Sequence, residues 1–100
     1  MENLKQYLIE ETDKEIKEKE TEIKNSDEEL KILEAKFKVE KKLSEMKDIY
    51  EETKEDIKYS VGAIKDMILM EKNRNAELRK ELKILQARKQ VINKFEDGEL

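Results

Sequence analysis

The side chains able to do chemistry here are carboxylates and amines, because the 100-residue chain has neither histidine nor cysteine. Lack of histidine removes the commonest general base and the commonest neutral metal ligand. It rules out a Ser-His-Asp triad and a Glu-x-x-His di-iron helix pair. Lack of cysteine removes disulfides, thiolate metal sites and cysteine nucleophiles. Gly62 and Gly98 are the only glycines, so no glycine-rich phosphate loop exists. The densest carboxylate group is Glu51, Glu52, Glu55 and Asp56, with Asp48 nearby. Steps of three and four put Glu52, Glu55 and Asp56 on one side of a helix. A tight hard-cation site collects about six to eight oxygens, usually from a loop. The cluster therefore reads as a solvated acidic face or a dock for a basic partner. No metal, no cofactor and no enzyme activity are expected.

The densest basic group is Lys72, Arg74, Arg79, Lys80, Lys83, Arg88, Lys89 and Lys94. Such a group can follow a phosphate backbone, which makes nucleic-acid binding the alternative function. It can equally be the solvent side of a helix, complemented by acidic residues elsewhere. Residues 72–94 hold eight bases and two acids, whereas residues 2–29 hold eleven acids and five bases. The two ends attract each other, within one chain or between chains. Phe95 is the only aromatic near the basic group, so base stacking has little support. A net charge of −4 points the same way.

The elements that must position these groups are helices. Proline is absent, and the chain is dominated by Glu, Lys, Leu, Ile and Ala, mostly good helix formers. Apolar residues make up only 36% and charged residues 48%, so a chain this short needs partner helices to complete its burial. One apolar ladder organises the sequence. Leu43, Tyr50, Ile57 and Ile64 recur every seven residues, and the phase resumes at Leu78, Leu85 and Ile92. A second rail of Ile32, Val39, Met46, Thr53, Ser60 and Met67 completes an alternation of three and four, the pattern of a coiled-coil seam.

Helices are expected over about 2–24, 27–72 and 75–96, with 97–100 a tail, all in one domain spanning 1–100. The first is thin: Ile9, Ile16 and Ile23 face would-be partner positions Thr12, Lys19 and Ser26. Ser26 with Glu29 fits a capping box, so a tight turn is expected at Asn25-Ser26. Against it, Ile23 and Leu30 keep the seven-residue phase. Asn75 can cap a final helix beginning at Ala76, although the phase from Ile64 to Leu78 also allows an unbroken one. A register running from Ile9 to Phe37 overlaps one starting at Ile32, and Phe37 to Leu43 is a six-residue step. The apolar face is therefore handed from one neighbour to another. Ile64, Met67, Ile68, Leu69 and Met70 form a dense patch covering too much of the helix for one neighbour. It reads as bundle core or, functionally, as a docking site for a protein partner.

The stretch Glu81-Leu82-Lys83-Ile84-Leu85-Gln86-Ala87-Arg88-Lys89 resembles the late helix of small coiled-coil accessory proteins encoded by tailed phages. That resemblance covers about a quarter of the chain and carries no catalytic motif. It implies a scaffolding, tail-associated or host-directed viral protein.

The expected fold is thus all-α: an elongated helical coiled coil or an antiparallel helical bundle of two to three helices. The expected function is protein–protein interaction, in its concrete form a phage-encoded regulator or inhibitor of a host complex. A scaffolding or assembly role is the structural alternative. A homo-oligomer is expected, with an antiparallel dimer favoured, since a parallel one sets each charged end beside its own copy. The longest apolar run, Met67 to Met70, is far short of the roughly 20 residues of a membrane span. The start, Met1-Glu2-Asn3-Leu4-Lys5, has no apolar core of a signal peptide, so a cytoplasmic location is expected.

Overall fold

The computed structural model describes residues 3–48 and 51–100. Tyr50 of the ladder and Glu2, the expected first helical residue, lie outside the described residues. All regular structure among the described residues is helical: α1 spans Leu4–Ser44 and α2 spans Glu51–Lys94.

The ends of these helices follow from local chemistry. Asn3 caps α1, its Oδ1 accepting the Gln6 backbone N–H at 3.0 Å. Lys41 and Lys42 occupy the last turn of α1, where positive charge suits the carbonyl end of the dipole. The backbone N–H groups of Glu45 and Met46 then donate three residues back, to the carbonyls of Lys42 and Leu43 at 3.1 and 3.2 Å, tightening the exit. Glu51 and Glu52 open α2, where negative charge suits the N–H end. Past Lys94, Gly98 sits at φ 92°, a conformation in which a Cβ is strained.

Among the described residues the helices are two, within the expected two to three, but their bounds are not the expected 2–24, 27–72 and 75–96. α1 runs unbroken through Asn25-Ser26, and α2 runs unbroken through Asn73-Asn75. The chain leaves helix after Ser44, inside the expected central helix 27–72, and α2 ends at Lys94 rather than 96. Ser26 and Asn75 carry side chains typical of helix caps, but both lie within helices and satisfy each other across the pairing, as described below.

The chain divides into two compact units. Unit 1 combines Met1–Asn25 with Ala76–Leu100. Its two helical segments run antiparallel: Asp13 meets Lys89 at 2.6 Å and Lys19 meets Glu81 at 2.7 Å. Ile23, Leu78 and Leu85 are buried there, each contributing about 1.5–3 kcal/mol, and Ile9, Ile16, Leu82 and Ile92 are half-buried. Unit 2 is Ser26–Asn75, a hairpin of two helical segments. Leu33, 3% exposed, is its one buried apolar side chain among the described residues. Leu30, Phe37, Leu43, Ile57, Val61, Ile64 and Ile68 are half-buried.

The ladder residues Leu43, Ile57, Ile64, Leu78, Leu85 and Ile92 all turn inward, but of the second rail only Ser60 accompanies them. Ile32, Val39, Met46 and Met67 are exposed, Val39 to 65%. On α2 the inward companions of the ladder are instead Val61, Ile68, Asn75, Leu82 and Lys89. On α1 the inward set is Ile9, Thr12, Ile16, Lys19, Ile23, Ser26, Leu30, Leu33, Phe37 and Glu40. A polar side chain at an inward position is tolerable where it finds a partner or reaches solvent with its tip. That is why a rail rich in Thr, Lys, Ser and Glu can lie inward while bulkier apolar residues lie outside.

Candidate functional site

The most buried polar side chain among the described residues, Ser26, is in unit 2. Ser26 is 0% exposed and Asn75 is 9% exposed. Asn75 Nδ2 donates to Ser26 Oγ at 3.1 Å and to the Asp27 carboxylate at 2.8 Å. The second bond has an ionised acceptor and is the stronger. No buried side-chain polar atom among the described residues lacks a partner. This cluster has the geometry of a register lock: one amide reaches two acceptors on the facing helix, and Ser26 is closed off from solvent.

Unit 2 also carries the expected docking patch. Ile64 and Ile68 turn inward and are half-buried, whereas Met67, Leu69 and Met70 are exposed, Met70 to 71%. The patch is thus split between the pairing and the surface. A feature the sequence reading missed lies across from it on α1. Ile32, Val39 and Met46 form an exposed stripe at seven-residue spacing, with Ala35 between them. Ile32, Ala35, Lys36, Val39, Glu40 and Ile64 line one shallow groove, so this stripe and α2 share an open face. A second groove continues along α1 between Lys38, Val39, Lys42, Leu43 and Met46. Both have apolar floors; Lys36 and Glu40 border the first, and Lys38 and Lys42 the second. The stripe was visible as a rail in the sequence; what pattern alone did not show is that it faces away from the pairing.

The basic candidates are not gathered on one uninterrupted surface. Arg74 bonds Glu71 at 3.1 Å. Arg88 borders a groove of unit 1 with Glu15, Glu18 and Glu22, and Lys89 is held by Asp13. Lys80 and Lys83 are exposed, as is Arg79. In the same unit Lys19 lies between Glu81 and Glu22, at 2.7 and 3.8 Å. The hydrogen bond to Glu81 raises the Lys19 ammonium above its ordinary value, and partial burial opposes that rise. The Tyr7 phenol is also raised, by its hydrogen bond to Glu11 and then by that carboxylate's charge. The attraction between the acidic and basic ends is therefore met inside one chain, so those charges do not call for a second copy.

Glu51, Glu52, Glu55 and Asp56 are exposed, and Glu51 pairs with Lys54 at 2.9 Å. Among the described residues, no three acidic side chains converge in a way that could hold a metal ion. No helix among them is long and apolar enough to cross a membrane. The fold and surface thus define an all-α chain of paired helices with exposed apolar stripes. Comparison with protein-family models, with curated proteins and with solved structures finds no match.

Proposed function

We propose that this chain is a protein–protein interaction module working through its helix surfaces. The observation that carries the reading is the imbalance of unit 2, which buries Leu33 while exposing Ile32, Val39, Met46, Tyr59, Met67, Leu69 and Met70. Exposed apolar side chains are ordinary singly, but a set in stripes marks a surface awaiting a partner. The inward positions of each unit alternate in steps of three and four, which supports coiled-coil pairing of the two helices. The phage-type resemblance gives the reading its concrete form, a regulator or inhibitor of a host complex or an assembly protein. Nucleic-acid binding has less support, because acids of α1 lie beside Arg88 and Lys89. A photo-crosslinking residue at Met70, compared with one at exposed Lys58, tests the reading in cells. Discrete protein adducts are expected from Met70 and not from Lys58. Equal, diffuse labelling from both removes it. A gel-shift series with DNA and RNA at low salt tests the alternative, and no shift is expected.

A further inference from the structure

The helices pair in a register that two copies of the chain can reproduce. In unit 1, Asp13 meets Lys89 and Lys19 meets Glu81; in unit 2, Ser26 meets Asn75. The midpoint of every pair falls at residue 50, at residue 51 or between them. Each step up α1 is thus matched by an equal step down α2. The inward positions mirror one another about that point, as Ile16 with Leu85, Ile23 with Leu78 and Leu33 with Ile68. Two copies of one continuous helix, paired antiparallel about a two-fold axis, have this same relation.

The turn between the helices carries no residue that bars a helix. Residues 45–50 contain neither glycine nor proline. No residue of its described part, 45–48, has a positive φ. The first backbone bonds past Ser44, from Glu45 and Met46 to carbonyls three residues back, already have the helical sense. Leu43 and Ile57 are both half-buried and lie two seven-residue steps apart, so a helix carried across the turn keeps them on one face. The six-residue step from Phe37 to Leu43 then takes one overwound turn, which paired helices accommodate.

We propose that the chain exchanges helices with a second copy. α1 and α2 join into one helix through residues 45–50, and each α1 pairs with the α2 of the other copy. At low concentration the chain's own α2 is the nearer partner, and the charges at the facing helix ends suit the turn. At high concentration a second copy competes. Exchange of identical elements costs little, because it remakes the inward contacts of one chain between two. The exchanged pair is a rod roughly 135 Å long at 1.5 Å per residue, with a unit 1 pairing at each end. It uses the inward sides of the helices, so it does not rest on the exposed stripes.

Three measurements decide this. Sedimentation equilibrium should give the 12.0 kDa of one chain when dilute and twice that mass as the concentration nears about 1 mM, where a free copy matches a tethered one. Lys47 and Asp48 are exposed. Lys47→Ala/Asp48→Ala should tighten the dimer and Lys47→Gly/Asp48→Gly should loosen it, with dissociation constants about 100-fold or more apart. Molecules with Asp13→Cys and molecules with Lys89→Cys, unfolded together in urea and refolded at high concentration, should crosslink through a short bis-maleimide. Either variant alone should not, and the chain has no native cysteine to interfere. A monomer at every concentration overturns the proposal. So does a dimer whose mixed pair crosslinks no better than either variant alone, since such a dimer associates by its outer surfaces. Equal dissociation constants for the alanine and glycine pairs overturn the straightening of the turn. None of these failures changes the outcome expected from the Met70 photo-crosslink, which tests the interaction reading separately.

Discussion

Asn75→Ala is the substitution whose cost the structure defines best. It removes the hydrogen bonds to Ser26 Oγ at 3.1 Å and to the Asp27 carboxylate at 2.8 Å. A bond to a charged group contributes about 1.5–3 kcal/mol, and one between neutral groups about 0.5–1.5 kcal/mol. Asp27 is half-buried and recovers part of its loss from water. Ser26 is fully enclosed and loses the Asn75 amide. The expected destabilisation is roughly 2–4 kcal/mol. With a urea slope of about 1.5 kcal/mol per molar, the unfolding midpoint falls by roughly 1–3 M. Circular dichroism against urea, at one fixed protein concentration, reads this directly. The double variant Ser26→Ala/Asn75→Leu replaces the polar pair by apolar groups and should recover most of the loss or exceed the parent. A cost below about 0.5 kcal/mol for Asn75→Ala refutes the reasoning. So does a double variant less stable than the single one. If Asn75 were instead a helix cap, Asn75→Leu would shorten α2, and the native spectrum would lose helical signal before any denaturant is added.

Leu33→Ala should cost about 2–5 kcal/mol, because it empties a buried apolar position of unit 2, while Val39→Ala should leave the monomer within about 0.5 kcal/mol; equal urea midpoints for the two variants would mean the inward side is misassigned. Lys19 is raised above its ordinary value of 10.5, so its contribution is complete below that value and is lost as pH rises through the raised one. Alkaline titration of stability should therefore show a fall that is smaller in Lys19→Met, with the remainder including the raised Tyr7; an unchanged fall in Lys19→Met would show that the pairing with Glu81 contributes nothing. Reversing Asp13 to Lys should weaken unit 1 only slightly, since the Asp13–Lys89 pair is about 40% exposed on both sides; thermal melts at low and high salt check this, and a large loss that persists at high salt would show the pair to be effectively buried.

Much of the helical architecture was legible in residue types, folding-back included as one of the expected forms; the place of the turn was not. The ladder from Leu43 to Ile92 was read as inward, and all its described members are. The thin stripe of Ile9, Ile16 and Ile23 was read with Thr12, Lys19 and Ser26 as its companions, and these do lie inward. What failed was the meaning given to Ser26 and Asn75. Ser, Asp and Asn favour caps because their side chains serve free backbone amides, but the same groups can serve one another across two helices. Local sequence cannot separate these cases, since the partner is 49 residues away. The turn-back after Ser44 was missed because it carries neither glycine nor proline. A signal was present: Lys41-Lys42 followed by Glu51-Glu52 is the charge order of one helix ending and another beginning. The six-residue step from Phe37 to Leu43 marked the same region. The exposed stripe of α1 was mistaken for a seam rail because seven-residue spacing alone does not say which of two apolar faces is turned inward.

The buried polar cluster also answers a question that the apolar residues leave open. An apolar rail repeating every seven residues tolerates a slip of seven, because leucine and isoleucine replace one another at modest cost. Among its described residues, unit 2 has one buried apolar side chain to resist such a slip. Its polar positions resist it more strongly. A slip of seven would set Asn75 against Leu33 and Ile68 against Glu40, leaving an amide without its partners at about 1–3 kcal/mol. Ser26, Asp27 and Asn75 therefore fix the register, as single polar seam residues do in other helix pairs. The Ser26→Ala/Asn75→Leu variant should separate the two roles: it keeps or gains stability while losing a unique register. Spin labels at exposed Lys31 and Lys72, both in unit 2, would show this as one narrow distance in the parent and a broadened or two-peaked distribution in the variant. A variant with a single distance as narrow as the parent's would mean that the apolar side chains set the register unaided.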